Sequence, residues 1–133
     1  FSNVGLGIVH SMAHQLGAVY DTPHGLANAI LLPTVMRYNG QDSETAQRFR
    51  EILINIGRPD AAHLNDQDVI NTFVWKISEL SKEVGITQTI KDVGAKEEDF
   101  GMLADKAMED PCKPGNPREV SREDFIELYR QAM

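Results

Sequence analysis

An all-α fold follows from three features of this sequence. Apolar residues recur at spacings of three and four in one segment after another. Alternating apolar and polar runs, the mark of half-buried strands, are absent. Glycines, prolines and short polar stretches punctuate the segments at intervals suited to helices. A helical bundle is the architecture these features predict.

The first helix carries Leu6, Val9, Ala13 and Leu16 on one stripe, with Gly17 as its expected stop. The turn at Asp21, Thr22, Pro23 and His24 opens a second helix, with Thr22 as cap and Pro23 at the first helical position. Ala27, Ile30 and Leu31 follow. Pro33 should kink or break this helix, and any continuation through Val35 and Met36 should end near Asn39 and Gly40. Ser43 begins a third segment, with Ala46, Phe49, Leu53 and Ile56 spaced three, four and three and Gly57 after them. Arg58 to Asp66 reads as a polar connection, and Asp66 as the cap of a fourth helix. That helix holds the clearest stripe, Ile70, Phe73, Ile77, Leu80 and Val84, which reads as core; Trp75 lies opposite much of it. Ile86 to Gly94 is a linker. Lys96 to Met108 is helical, with Phe100, Leu103 and Ala107 inward. The Pro-rich stretch from Asp110 to Arg118 is a loop, where Arg118 could sit near a domain boundary but a rigid loop is the simpler reading. Ser121 and Asp124 have capping-box spacing ahead of a last helix with Phe125, Leu128 and Tyr129.

Composition narrows the function classes. The 133 residues are 41% hydrophobic and 25% charged, enough apolar material for a core within one domain or part of one. A formal net charge of -7 argues against nucleic acid or an anionic membrane as the main partner. A single cysteine, Cys112, excludes an internal disulfide framework and fits a reducing cytoplasm. No apolar run approaches the roughly 20 residues that span a bilayer, and no signal-peptide pattern is visible. The chain begins at Phe1 rather than Met, so it reads as cut from something longer.

Three of the four histidines cluster, at His10, His14 and His24. On a helix, His10 and His14 share one face, because residues four apart stack. A turn followed by an antiparallel helix would bring His24 back towards them. Neutral imidazole is a common ligand for zinc, iron and other borderline metals. Two histidines one turn apart are also frequent as plain surface or core residues. The third histidine and the surrounding small residues, Gly5, Gly7, Ala13, Gly17, Ala18, Gly25, Ala27 and Ala29, favour a built site, since small side chains let backbones approach. Asp21 is the nearby acid, and it could merely cap. A catalytic ion takes three or four ligands, often with a carboxylate, so the cluster alone is incomplete.

Residues Gly5 to Gly17 (GLGIVHSMAHQLG) and Thr22 to Pro33 (TPHGLANAILLP) closely resemble the signature of the iron-containing alcohol dehydrogenases. Asp110 to Arg118 (DPCKPGNPR) is similar to the same family, in the branch of lactaldehyde reductase and propanediol dehydrogenases. The resemblance implies a two-domain enzyme. An N-terminal domain, absent here, binds NAD or NADP, and residues 1–133 form part of the C-terminal helical domain that binds the metal. It implies Fe2+, with Zn2+ as the alternative, held by an Asp and three His. Two of those histidines match His10 and His24, and the other two ligands lie before Phe1. His14 matches the remaining signature histidine, near the nicotinamide and placed for proton relay. Phe1 falls near the start of a pocket-lining segment, and Cys112, a second candidate for that pocket, matches a cysteine common in this branch to which the resemblance assigns no firm role. Small alcohols, diols or aldehydes are the implied substrates. A homo-oligomeric, cytoplasmic enzyme is expected, with no nucleic-acid or membrane partner. With two of four ligands and no cofactor domain, this chain by itself is expected to be inactive, to bind metal weakly and to self-associate. The alternatives are a related enzyme of the glycerol dehydrogenase type, or a helical interaction domain without chemistry.

Overall fold

The computed structural model describes residues 6–110 and 116–133. Among these the elements are helical throughout: α1 Leu6–Tyr20, α2 His24–Asn39, α3 Ser43–Asn55, α4 Asp66–Glu83, α5 Phe100–Glu109 and α6 Arg122–Gln131. Short 3-10 turns at Pro59–His63 and Glu97–Asp99 precede α4 and α5. The all-α expectation therefore holds. No helix of the described residues is long and apolar enough to cross a membrane.

Packing runs from α3 through α4 and α2 to α1, then on to α5 and α6. Helix α1 packs between α2 and α5, with Ile8, Val9, Met12, Ala13 and Leu16 all buried. Tyr129 of α6, fully buried, donates its hydroxyl to the Met12 carbonyl at 2.9 Å and ties the last helix to the first. That burial pushes the Tyr129 phenol far above its ordinary value, because the anion would be stranded in an apolar interior.

Several helix ends differ from the sequence reading. Gly17 does not stop α1, which runs on to Tyr20; the turn is made instead by Asp21, at φ 58. Asp tolerates this left-handed conformation better than most side chains. Thr22 does not cap α2. It is buried, its Oγ1 has no hydrogen-bond partner, and Pro23 occupies the cap position at ψ 136 with no side-chain cap. Pro33 does not break α2, which continues to Asn39. Proline in a helix interior costs about 3 kcal/mol. The helix keeps its path because Ala27, Ile30, Leu31, Val35 and Met36 are buried on both sides of that point. Asn65 rather than Asp66 caps α4, accepting from the Asp68 N–H at 2.8 Å. Asp66 instead meets the Arg50 guanidinium at 3.1 Å.

The Arg50 side chain also donates to the carbonyls of Ala61 and Leu64, at 3.1 and 2.7 Å. It thereby fastens the Arg58–Asp66 connection, which holds a 3-10 turn, onto α3. Gly57 and Gly85 end α3 and α4 as expected, at φ 101 and 86. Their next residues close the helix ends, Arg58 N–H to Leu53 at 2.9 Å and Ile86 N–H to Ser81 at 2.8 Å.

The α4 stripe is core only in its first half. Ile70 and Phe73 are buried, but Leu80 is 50% and Val84 74% exposed. In the second half of α4, Ser78, Ser81 and Lys82 line a shallow cavity shared with Ala29, Ile30 and Pro33 of α2. The 3.6-residue period drifts away from a strict seven-residue stripe, so the packed face rotates along the helix. Trp75 is also exposed, at 57%. The capping box of α6 is present as expected.

Tyr20 joins the end of α1 to the start of α5. Its hydroxyl donates to Asp99 Oδ2 at 2.6 Å and accepts from the Lys96 N–H at 3.4 Å. Burial, then the Asp99 carboxylate, push its phenol from 10.0 up to about 12. A raised folded pKa favours the neutral form. The stability this brings is whole below pH 10 and is lost as pH rises towards about 12. Denaturant midpoints measured across that window should fall more steeply for the wild type than for Tyr20→Phe. Parallel curves for the two proteins would refute this role.

Candidate metal centre

The α1–α2 hairpin brings the three clustered histidines together. His10 and His14 lie one turn apart on α1, and His24 is the first residue of α2. The Asp21 turn folds α2 back along α1, where buried Ala13 and Ala27 permit close packing. The ring centroids of His24 stand 5.4 Å from both His10 and His14, and those two are 6.2 Å apart. One nitrogen from each imidazole lies within 4.8 Å of the other two. His10 is half-buried, and His14 and His24 are exposed. The anticipated convergence of all three is thus realised.

Three imidazole nitrogens facing a common space form a donor set that suits Fe2+ or Zn2+. Among the described residues no carboxylate joins the group. Asp21 is exposed in its turn and is not part of it. The residues present therefore fit part of a metal's coordination sphere, and further ligands would have to come from elsewhere.

The surroundings add residues that the sequence reading missed. The Asp110 carboxylate lies 2.9 Å from His14 Nδ1, with its side chain only 8% exposed. Gln15, also buried, donates to Asp110 Oδ2 at 3.4 Å and to the Ser11 carbonyl at 3.1 Å. Asn28 places its amide nitrogen 3.0 Å from His24 Nε2, one turn along α2. Nothing local in the sequence signals Asp110, which is 96 residues from His14. Asn28, by contrast, follows His24 at helical spacing, a signal present in the sequence itself. Phe1 and Cys112, the expected pocket residues, lie outside the described residues. His63 is exposed in its 3-10 turn, away from the cluster.

Arg118 is committed to structure. Its guanidinium stacks over the Tyr38 ring at 4.0 Å and donates to the Tyr38 carbonyl at 2.8 Å. Asn116 pairs with Asn39 through two amide hydrogen bonds, at 3.0 and 2.9 Å. The end of the Pro-rich loop is thus pinned to α2, the rigid-loop reading.

The family model for the C-terminal part of the Fe-containing alcohol dehydrogenases matches residues 1–133, the whole chain. The chain belongs to the iron-containing alcohol dehydrogenase family. Lactaldehyde reductase of Escherichia coli is 48% identical over 132 residues, covering 99% of this chain and 34% of the relative. The 1,3-propanediol dehydrogenase of Citrobacter freundii is 41% identical, covering 99% of this chain and 33% of the relative. A crystal structure of a 1,3-propanediol oxidoreductase superposes with a TM-score of 0.87 at 39% identity, over 95% of this chain and 32% of that one. This family member therefore spans about a third of the length of the curated relatives it matches. The family, its branch and the helical architecture all stand as the signature segments implied.

Proposed function

We propose that this chain contributes the metal-holding helices to the active site of a dehydrogenase that interconverts small alcohols or diols and aldehydes. The observation that carries the reading is the meeting of His10, His14 and His24 at the α1–α2 hairpin. Family membership and the names of the relatives, a lactaldehyde reductase and a propanediol dehydrogenase, support the substrate class. A helical scaffold without chemistry would have no use for three imidazoles so arranged.

In this reading His10 and His24 hold a divalent ion, Fe2+ or alternatively Zn2+. An Asp and a further His from a preceding part of the protein complete the set. When bound, such an ion would supply Lewis acidity towards the alcohol or aldehyde oxygen, with NAD or NADP as the hydride carrier. His14, exposed beside the ligands, would be the residue nearest a bound nicotinamide and would carry the proton, as an imidazole can near neutrality. By the family resemblance, Phe1 and Cys112, which lie outside the described residues, are candidates for the substrate pocket. Residues 1–133 act as part of the C-terminal helical domain, and the nucleotide is bound mainly by an N-terminal domain. The enzyme is a cytoplasmic homo-oligomer, and this chain alone is inactive.

Metal removal tests the proposal. The full-length protein, assayed with NADH or NADPH and a small aldehyde, should lose about a hundredfold or more of its activity on chelation. Ferrous ion should restore it, since polarising the substrate oxygen is worth several kcal/mol. Undiminished turnover in thoroughly metal-stripped protein would overturn the reading.

A further inference from the structure

The contact between α5 and α1 carries a second assignment. We propose that Asp110 is a positioning residue that holds His14 in a single tautomer, with the proton on Nδ1 and a bare Nε2. This inference rests on the reading of His14 as the residue that moves the proton.

Asp110 is the residue that follows α5, and its backbone there is extended, at φ -68 and ψ 133. The end of α5 aims its side chain at α1, against which α5 packs. The carboxylate is almost wholly withdrawn from water, whereas the His14 side chain is 41% exposed. Burying an ionised carboxylate is costly unless hydrogen bonds replace its hydration. Two donors from adjacent α1 positions supply them, His14 Nδ1 at 2.9 Å and Gln15 Nε2 at 3.4 Å. The Gln15 amide is itself oriented by the Ser11 carbonyl at 3.1 Å. Its carbonyl oxygen is thereby turned away, and its NH2 group faces the carboxylate.

A carboxylate only accepts hydrogen bonds, so at this distance the shared proton sits on His14 Nδ1. In the neutral ring that leaves Nε2 as a lone pair. A single imidazole nitrogen is thus presented for taking up a proton, and a ring flip would cost the buried carboxylate its 2.9 Å hydrogen bond to Nδ1. Carboxylate–histidine pairs with this logic fix both tautomer and ring orientation. A solvent-exposed ion pair would have little such influence. Here the acceptor is buried and its second donor is pre-oriented.

Two measurements test the assignment. With 15N-labelled histidine in the metal-free protein, His14 should show Nδ1 protonated and Nε2 unprotonated in its neutral form. Asp110→Asn, close to isosteric, should release the ring to a mixture of tautomers. In the metal-loaded enzyme the same variant should lower kcat about 10–100-fold, the range typical for partners behind an active imidazole, with metal content unchanged. Asp110→Glu should restore part of it. An Nε2–H tautomer in the wild type would overturn the proposal, and so would an unaltered tautomer or a loss of metal in Asp110→Asn. The wild-type spectrum decides even where the variant fails to fold. It requires neither metal nor turnover, so failure of the dehydrogenase reading and failure of this one are distinguishable.

Discussion

His24→Ala in the full-length protein should strip the metal and abolish turnover, while leaving the fold intact. His24 is exposed at the first position of α2, and its recorded polar contact is with the Asn28 amide at 3.0 Å. Removing such a side chain should change the stability of the metal-free protein by no more than about 0.5 kcal/mol. Its imidazole nevertheless stands 5.4 Å, centroid to centroid, from both other rings, and in the proposed reading it is one of the two ligands this chain supplies. Loss of a residue behind a ligand weakens metal binding about 10–100-fold, and loss of a ligand itself should exceed that. Metal analysis after gel filtration, with a thermal melt of the metal-free protein alongside, checks both halves. Normal metal content would show that His24 is no ligand. A collapsed melt would show instead that it is structural.

Phe49→Ala should be the most damaging change to the fold. Phe49 is wholly buried between α3 and α4, its ring stacked on Phe73 with centroids 4.1 Å apart and planes 8° from parallel. Truncating a buried Phe costs about 3–5 kcal/mol, from lost transfer energy and the cavity left behind. The total stability of a domain is about 5–15 kcal/mol, so a large fraction is at stake. The loss should fall on α3, which the structure joins to the bundle chiefly through α4. A urea titration measures it directly. A shift under about 1 kcal/mol would mean that the α3–α4 seam is held by other contacts, such as the Arg50 bonds to Ala61 and Leu64.

Local rules carried far along this chain and failed at identifiable places. The helices and most of their inward residues follow from apolar spacing, which is a property of contiguous sequence. The α6 capping box and the Gly57 and Gly85 stops are likewise local, each needing only a few neighbouring residues. Gly17, Thr22 and Pro33 misled for one shared reason. Each has an intrinsic preference to stop, cap or break a helix, whereas burial of α1 and α2 against each other decides how the backbone runs there. The α4 stripe misled because its buried face depends on which neighbour each turn meets.

The same division runs through the candidate site. The sequence by itself determined the helical class, the grouping of His10, His14 and His24, and the signature that ties them to iron-containing alcohol dehydrogenases. All of these lie in short stretches where spacing and residue type suffice. Tertiary structure decided how closely the three rings meet and that Asp21 stands apart. It alone brought Asp110 against His14 across 96 residues. No periodicity encodes that last contact. It exists because α5 packs on α1 and ends where its terminal carboxylate must find donors or remain buried without them.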